Sequence, residues 1–352
     1  MFRMHRGPIR IAAILLLLVC VGTIGADAEE FSVVHLNMWS GLGSGGFFSV
    51  PSYEEPAARD FRIGILRDEL ARLSPDMVSL VEANPLPQTA QSFSEFLQYQ
   101  SEHQVSQAGV RIGVVGLPAN LRLGHLHMAA SELDFARVGH RNLSGGGAGN
   151  LFSWNVSETS IVFGTAVRIE GTQVYLFSLH LHESPHAYAG QLVGLVEDYA
   201  QGRIDADSYL QAVNESVRGR ERRLQEIRRA IVFVNEMAQQ SPVILTGTLA
   251  ALPDSDVLEA LRDAGFSDVW QVVNSDDSGF TRDETINTNI SEHQTDPLGE
   301  RATERSRVDY ILYRGDQLRP LSAELVFDNP VYGEFPSDHF GITARFSIEV
   351  TE

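Results

Sequence analysis

The chain has no lysine, and its one cysteine, Cys20, lies near the N-terminus. Every strong base is therefore an arginine. A single cysteine excludes a disulfide framework, and stability has to come from the core and from any bound cation. Positive charge is scarce: 27 basic residues face 46 acidic ones, for a formal net charge of −19. Such a surface repels phosphate backbones unless a local basic groove or bound cations intervene, which counts against tight non-specific binding of nucleic acid. Long apolar runs are also missing, apart from Ile11 to Val21, which is short for a membrane span. No internal repeat, low-complexity tract or interdomain linker is visible.

That one apolar run has the layout of an export signal. Arg3, Arg6 and Arg10 precede it, and Ala26-Asp27-Ala28 supplies a small-x-small cleavage pattern. Residues 1–28 are expected to be a signal peptide. The mature chain, 29–352, is then a single domain beginning near Glu29, secreted or periplasmic, with no transmembrane span. An uncleaved N-terminal anchor is the alternative. Losing three arginines and one aspartate with the signal would take the net charge from −19 to −21 and leave no thiol.

Beyond this segment, strands and helices alternate. Phe31 to Leu36 reads as an apolar strand, and Pro56 to Leu73 as an amphipathic helix with Ile63, Leu66, Leu70 and Leu73 on one face. Met77 to Val81 is a buried strand. Residues 85 to 150 mix helix-like and strand-like stretches. Ser160 to Ile169 and Gln173 to Leu179 form a hairpin turning at Glu170-Gly171-Thr172. Residues 183 to 216 read as a polar excursion, and Val217 to Met237 as a helix with arginines on a solvated face. Pro242 to Gly247 is a short strand, Asp256 to Ala264 a short helix capped by Asp256, and 274 to 306 a polar loop. Val308 to Tyr313 and a run from Ile342 are the last strands. Several strands pair as hairpins, which argues for mixed sheets with helices outside.

Polar residues recur at the strand ends: Asn37, Glu82, His180, Asp309, Asp338 and His339. Each has an ordinary reading. Ser337-Asp338-His339 alone fits a polar turn entering a strand, Glu82 an arginine ion pair, His180 a satisfied core histidine and Asn37 a turn. Together they suggest chemistry. A carboxylate with an amide and waters suits Mg²⁺ or another divalent cation, which can polarise a phosphoryl oxygen. A histidine paired with an aspartate makes an oriented general base, and a second histidine can protonate the leaving oxygen.

The motifs His35-Leu36-Asn37-Met38-Trp39, Val78-Ser79-Leu80-Val81-Glu82, Ser178-Leu179-His180-Leu181-His182, Arg307-Val308-Asp309-Tyr310-Ile311-Leu312-Tyr313 and Ser337-Asp338-His339 occur in that order. In order and spacing they resemble the endonuclease/exonuclease/phosphatase superfamily, most closely its neutral sphingomyelinase branch. The resemblance implies an α/β four-layer sandwich of the DNase I-like kind, two mixed sheets face to face with helices outside. It implies a phosphodiester substrate, possibly a phospholipid. It also implies roles: Glu82 as main Mg²⁺ ligand with Asn37 beside it, and His339 as base with Asp309 orienting it. Asp338 becomes a secondary metal or orienting carboxylate, and His180 assists the leaving group or the phosphoryl oxygens.

One motif departs from the family's Gly-Asp-(Phe/Leu)-Asn-x-x-Pro. Here the stretch is Gly247-Thr248-Leu249-Ala250-Ala251-Leu252-Pro253. Thr248 stands where the family has the water-positioning Asp, and Ala250 where it has the phosphate-holding Asn. By analogy with losing a positioned catalytic group, a rate loss on the order of 10²–10⁴ or more is expected. The expectation is thus an impaired Mg²⁺-dependent phosphodiesterase. Its rivals are an inactive relative that binds a phosphorylated ligand or a cation, and a secreted nuclease. Asp254 and Asp256 are expected not to rescue the lost Asp. His182 and His186 read as surface or substrate-side residues, and Asn142, Asn155, Asn214 and Asn289 as sequons.

Overall fold

The computed structural model describes residues 29–41, 54–108, 111–112, 115–116, 122–144, 160–182, 189–293 and 305–349. The expected signal segment, His186 and Asn155 lie outside them. Period-two alternation gives each strand an inner and an outer face, and two six-stranded sheets use both. One sheet is built from β1 (Glu29–Asn37), β2 (Met77–Ala83), β3 (Tyr99–Ala108), β4 (Arg122–Ala130), β11 (Leu318–Val326) and β12 (Gly341–Ile348), in the order β11-β12-β1-β2-β4-β3. The other holds β5 (Asp134–Asn142), β6 (Ile161–Ile169), β7 (Thr172–His180), β8 (Val243–Thr248), β9 (Ser267–Asp268) and β10 (Asp309–Arg314), in the order β9-β10-β8-β7-β6-β5. Both are mixed: β1 and β2 run parallel, as do β7 and β8, and the remaining pairs are antiparallel.

Three apolar clusters stack in register with these layers. Outer-face residues Val34, Leu36, Val78 and Leu80 pack against Leu66 and Leu70 of α1 (Pro56–Leu73) and Phe93 of α2 (Gln88–Leu97). On the far side, Val243, Leu245, Phe177 and Leu179 meet Ile227 and Val234 of α4 (Ala206–Ala238) and Leu258 and Leu261 of α5 (Asp256–Asp263). Between the sheets lie Phe31, Val33, Met77, Leu176, Ile244, Ile311 and Phe346. The expected four-layer α/β sandwich is what the chain forms.

Several expectations are corrected. The polar excursion contains α3 (Ala189–Ala200) and the first turns of α4 (Ala206–Ala238), which starts eleven residues before Val217 behind an Asp205 cap. The first turns of α4 are polar in sequence, which hid the start of that helix. The arginine face of α4 is not wholly solvated: Arg223 is buried against the His182 carbonyl, and Glu226 accepts the His182 N–H. Ser255, not Asp256, caps α5 (Asp256–Asp263), and Asp256 instead pairs with Arg220. The described residues between 85 and 144 hold α2, β3 to β5 and a short ribbon, Arg111–Ile112 with Val115–Gly116. The loop 274 to 306 carries a two-stranded ribbon, Arg282–Asp283 with Arg305–Ser306, and α6 (Thr288–His293).

The space between the sheets turns polar toward the C-terminal ends of the parallel strands. Ser79 and Thr246 hydroxyls meet at 2.7 Å across it. The Ser178 hydroxyl lies 2.8 Å from both His125 Nδ1 and His127 Nε2, and His127 Nδ1 is 2.9 Å from Thr165 Oγ1. Burial pushes the His127 imidazole down to about 3 and His125 well below its ordinary value. Folded pKa values below the unfolded one mean that the unfolded chain binds more protons, so stability falls as pH drops from about 6.5 toward 3. One such histidine is worth about 3 kcal/mol by pH 4. Urea unfolding at pH 7 and pH 4 is expected to show this loss, and His127→Gln to remove part of it. An unchanged pH dependence in the variant would refute the assignment.

Candidate active site

Strand register brings the chemistry to one edge. His180, Thr248 and Asp309 stand side by side where β7, β8 and β10 pair, Thr248 opposite both of the others. Gly247, just before, permits this spacing, since a Cβ there would lie 2.3 Å from the Leu179 carbonyl oxygen. From the opposing sheet come Asn37 at the end of β1 and Glu82 near the end of β2. The β2–β4 register shifts between Leu80 and Ala83, and Glu82 has φ +54. This bulge re-aims a side chain that strict alternation would send elsewhere. Positive φ at a bulky residue costs on the order of 1–3 kcal/mol and is found where function holds it.

Glu82, Asn37, Thr248, Asp309 and His339 form one continuous hydrogen-bonded chain, and His180 meets it at Glu82 through an ion-pair contact. His180 Nε2 lies 3.4 Å from Glu82 Oε1, which also accepts the Asn37 amide N–H at 3.0 Å. The same amide nitrogen reaches Thr248 Oγ1 at 3.3 Å. Thr248 donates to Asp309 Oδ1 at 2.5 Å, and His339 Nδ1 donates to Asp309 Oδ2 at 2.6 Å. Glu82 Oε2 accepts the Ser40 N–H at 2.9 Å. Ser337 Oγ donates to the Asn37 carbonyl at 2.6 Å and lies 3.3 Å from Asp338 Oδ1. Asp338 is half-buried beside this chain. Ala250 is buried with φ +46, a left-handed conformation that Asn tolerates better than Ala.

Burial raises the Glu82 carboxyl, but His180, the Asn37 amide and the Ser40 N–H together outweigh it and hold it below the ordinary range. Asp309 behaves alike: burial opposes ionisation, while His339, His35 and Thr248 overcome it. For His339 burial favours the neutral ring, yet Asp309 and Asp338 win and lift its pKa to about 9. His339 is thus an imidazolium at neutral pH in the cation-free protein. A divalent cation beside Asp338 would oppose that lift.

Among the described residues no three His, Cys, Asp or Glu side chains converge as a closed metal cage. The donor set instead fits Mg²⁺, which takes one or two carboxylates and keeps several waters. Glu82 is ionised and partly exposed at the rim. Asn37 turns its amide nitrogen to Glu82 and gives its oxygen to the Trp39 N–H, so it orients the carboxylate.

Sequence reasoning missed the supports of this site. Thr281 Oγ1 accepts the N–H groups of Val308 and Asp309. His35, fully buried, donates Nδ1–H to the Ser79 carbonyl and points Nε2 toward Asp309 Oδ1 at 3.9 Å. Arg62 and Asn289, read as part of a helix and a sequon, also face this edge. None carries a local signal, because each acts through a contact distant in sequence.

With that geometry in hand, comparison identifies the class. A family model of the Endonuclease/Exonuclease/phosphatase family matches residues 34–339, and the chain belongs to that family. Its members act on phosphoric ester bonds. No curated protein matches. Among solved structures, TDP2 of D. rerio complexed with single strand DNA product is 16% identical with a TM-score of 0.58, over 90% of this chain and 99% of that one. Truncated TDP2 of Caenorhabditis elegans is 16% identical with a TM-score of 0.56, over 90% and 97%. An endonuclease/exonuclease/phosphatase family protein from Bacteroides thetaiotaomicron is 13% identical with a TM-score of 0.59, over 92% and 99%. At these identities the likeness is one of fold. No helix among the described residues is long and apolar enough to cross a membrane.

Proposed function

We propose that the chain is an exported, Mg²⁺-dependent phosphodiester hydrolase of the sphingomyelinase-like kind, slowed by Thr248 and Ala250. The observation that carries this is the hydrogen-bonded chain Glu82–Asn37–Thr248–Asp309–His339 with His180 in ion-pair contact with Glu82. It places a rim carboxylate and an aspartate-oriented imidazole on one edge. Glu82, with Asp338 as a second carboxylate, would hold the cation, which supplies charge neutralisation at the phosphoryl oxygens. The chain's own groups do the rest. His339, in the fraction that has lost its proton, accepts the proton of an attacking water while Asp309 fixes its tautomer. His180, beside Glu82, faces the phosphoryl and leaving oxygens.

A second reading has its own support. Thr248 is fully buried and already bonded at both ends, and Ala250 offers only a methyl group. A site so altered suits an inactive binder of a phosphorylated ligand or cation. The nuclease reading draws on the DNA seen with one relative, but the net charge of −19 disfavours it.

The test uses the chain from Glu29, with Mg²⁺, on sphingomyelin, a chromogenic phosphodiester and plasmid DNA. Slow turnover of the first two with intact DNA is expected. Calorimetry should detect Mg²⁺ binding, and Glu82→Gln should abolish it. Unchanged binding in Glu82→Gln removes Glu82 from its role, and inertness on all three substrates favours the binder. Recovery of a chain starting near Glu29 from the medium of a secreting host checks export.

A further inference from the structure

The loop that ends in His339 is gripped by side chains from elsewhere in the chain. Three consecutive carbonyls, those of Phe335, Pro336 and Ser337, each accept a side-chain N–H. Asn289 Nδ2 donates to Phe335 O at 3.0 Å and to Ser337 O at 3.3 Å. Arg62 Nη1 donates to Pro336 O at 2.8 Å, and Asn287 Nδ2 to Ser337 O at 3.0 Å. All three side chains are buried.

The grip is itself braced. Asn287 Oδ1 accepts the Asn289 N–H, and the Asn287 N–H bonds to Asp283 O. Glu54 holds Arg62 through both carboxylate oxygens, at 3.0 and 2.8 Å. Arg62 also donates to Met38 O at 2.7 Å and Trp39 O at 3.3 Å, and sits 4.6 Å from the Trp39 ring centroid. One guanidinium thereby ties the segment after Asn37 to the segment before His339. Burying a charge and two amides is costly unless each is satisfied. Here six of the nine side-chain hydrogen bonds named go to main-chain carbonyls of the two segments that carry Asn37 and His339.

We propose that Arg62, Asn287 and Asn289 are positioning residues, acting as one clamp that sets His339 against Asn37 and Glu82. The inference rests on reading His339 as the base. It also accounts for the Asn289 sequon: this amide is engaged with main-chain carbonyls and buried, so it is no acceptor for a glycan.

The variant that tests it is Asn289→Asp, which keeps the shape but turns an oxygen toward two carbonyls. Arg62→Lys, which keeps the charge but loses the fork, serves if Asn289→Asp fails to fold. Misplacement by about 1 Å can cost roughly 10²-fold in rate. Either variant should therefore lose about 10- to 100-fold in kcat, with KM within about twofold. A second readout needs no substrate: the downfield proton resonance of His339 Nδ1, set by its short bond to Asp309. It should move upfield or vanish in the variants. A folded variant with kcat within about threefold and an unmoved resonance overturns the clamp. If the wild-type chain hydrolyses nothing, the hydrolase reading fails by itself and the resonance alone decides: displaced supports the clamp, unmoved overturns it.

Discussion

Replacing Thr248 by Asp together with Ala250 by Asn is expected to raise Mg²⁺-dependent phosphodiester turnover by about 10²–10⁴. The framework for the change is already present. Thr248 sits between Asn37 and Asp309 with its hydroxyl bonded to both, so an aspartate there would meet the same amide donor. At Ala250 the backbone already has the left-handed φ of +46 that asparagine tolerates. The aspartate carries a penalty of known sign. Its carboxylate would lie where a hydroxyl now stands 2.5 Å from Asp309 Oδ1. Two buried carboxylates at that range cannot both ionise without a neutralising partner. The double variant should therefore melt lower than wild type in chelator and recover with Mg²⁺, whereas the wild type should respond less. Initial rates on a chromogenic diester and melting curves with and without Mg²⁺ read both effects. A reverted protein that stays inert defeats the catalytic reading of this site.

Asp309→Asn should lower kcat by roughly 10³–10⁴ while the fold survives. Asp309 accepts from Thr248 on one oxygen and from His339 on the other, and both sides are sealed from water. An asparagine can present its amide NH₂ to Thr248, whose hydroxyl can turn to accept, and its oxygen to His339. The hydrogen-bond count then survives, but the charge that stabilises the imidazolium is gone. Without it the ring is a weaker base and its protonated form keeps only the half-buried Asp338 as a counter-charge. Circular-dichroism melts establish folding, and kcat reads the loss. A kcat within about tenfold of wild type would place the base elsewhere.

Much of this site could be read from the sequence because strand periodicity carries it. A period of two puts Val243 and Leu245 on one face of β8 and Ile244, Thr246 and Thr248 on the other, so a polar residue ending an inner row belongs to the edge. The same logic placed His180 and Asp309. The family resemblance then assigned roles that periodicity alone left open. Helix α1 was legible in full because Leu66 and Leu70 repeat at helical spacing and both are buried.

What escaped has physical causes. Glu82 was expected at the site, but the bulge through which it arrives was not, because no pattern in Ser79-Leu80-Val81-Glu82 announces one. The early turns of α4 are polar and looked like a loop. Strand β11 mixes Arg319, Pro320 and Glu324 with its apolar residues as an edge strand can. Asn287, Asn289 and Arg62 act on carbonyls roughly 50 to 270 positions away, as the residue numbers show, and nothing local marks such partners.

The chain of polar contacts from His180 to His339 crosses between the sheets three times, from β7 to the β1–β2 edge, back to β8, and from Asp309 of β10 to the segment that leads into β12. Neither half of the sandwich owns a working site. An intermediate in which one sheet has formed and the other has not would be chemically silent. Recovery of turnover during refolding should therefore lag the first secondary structure and coincide with docking of the two layers, which makes the reaction itself a reporter of that last step.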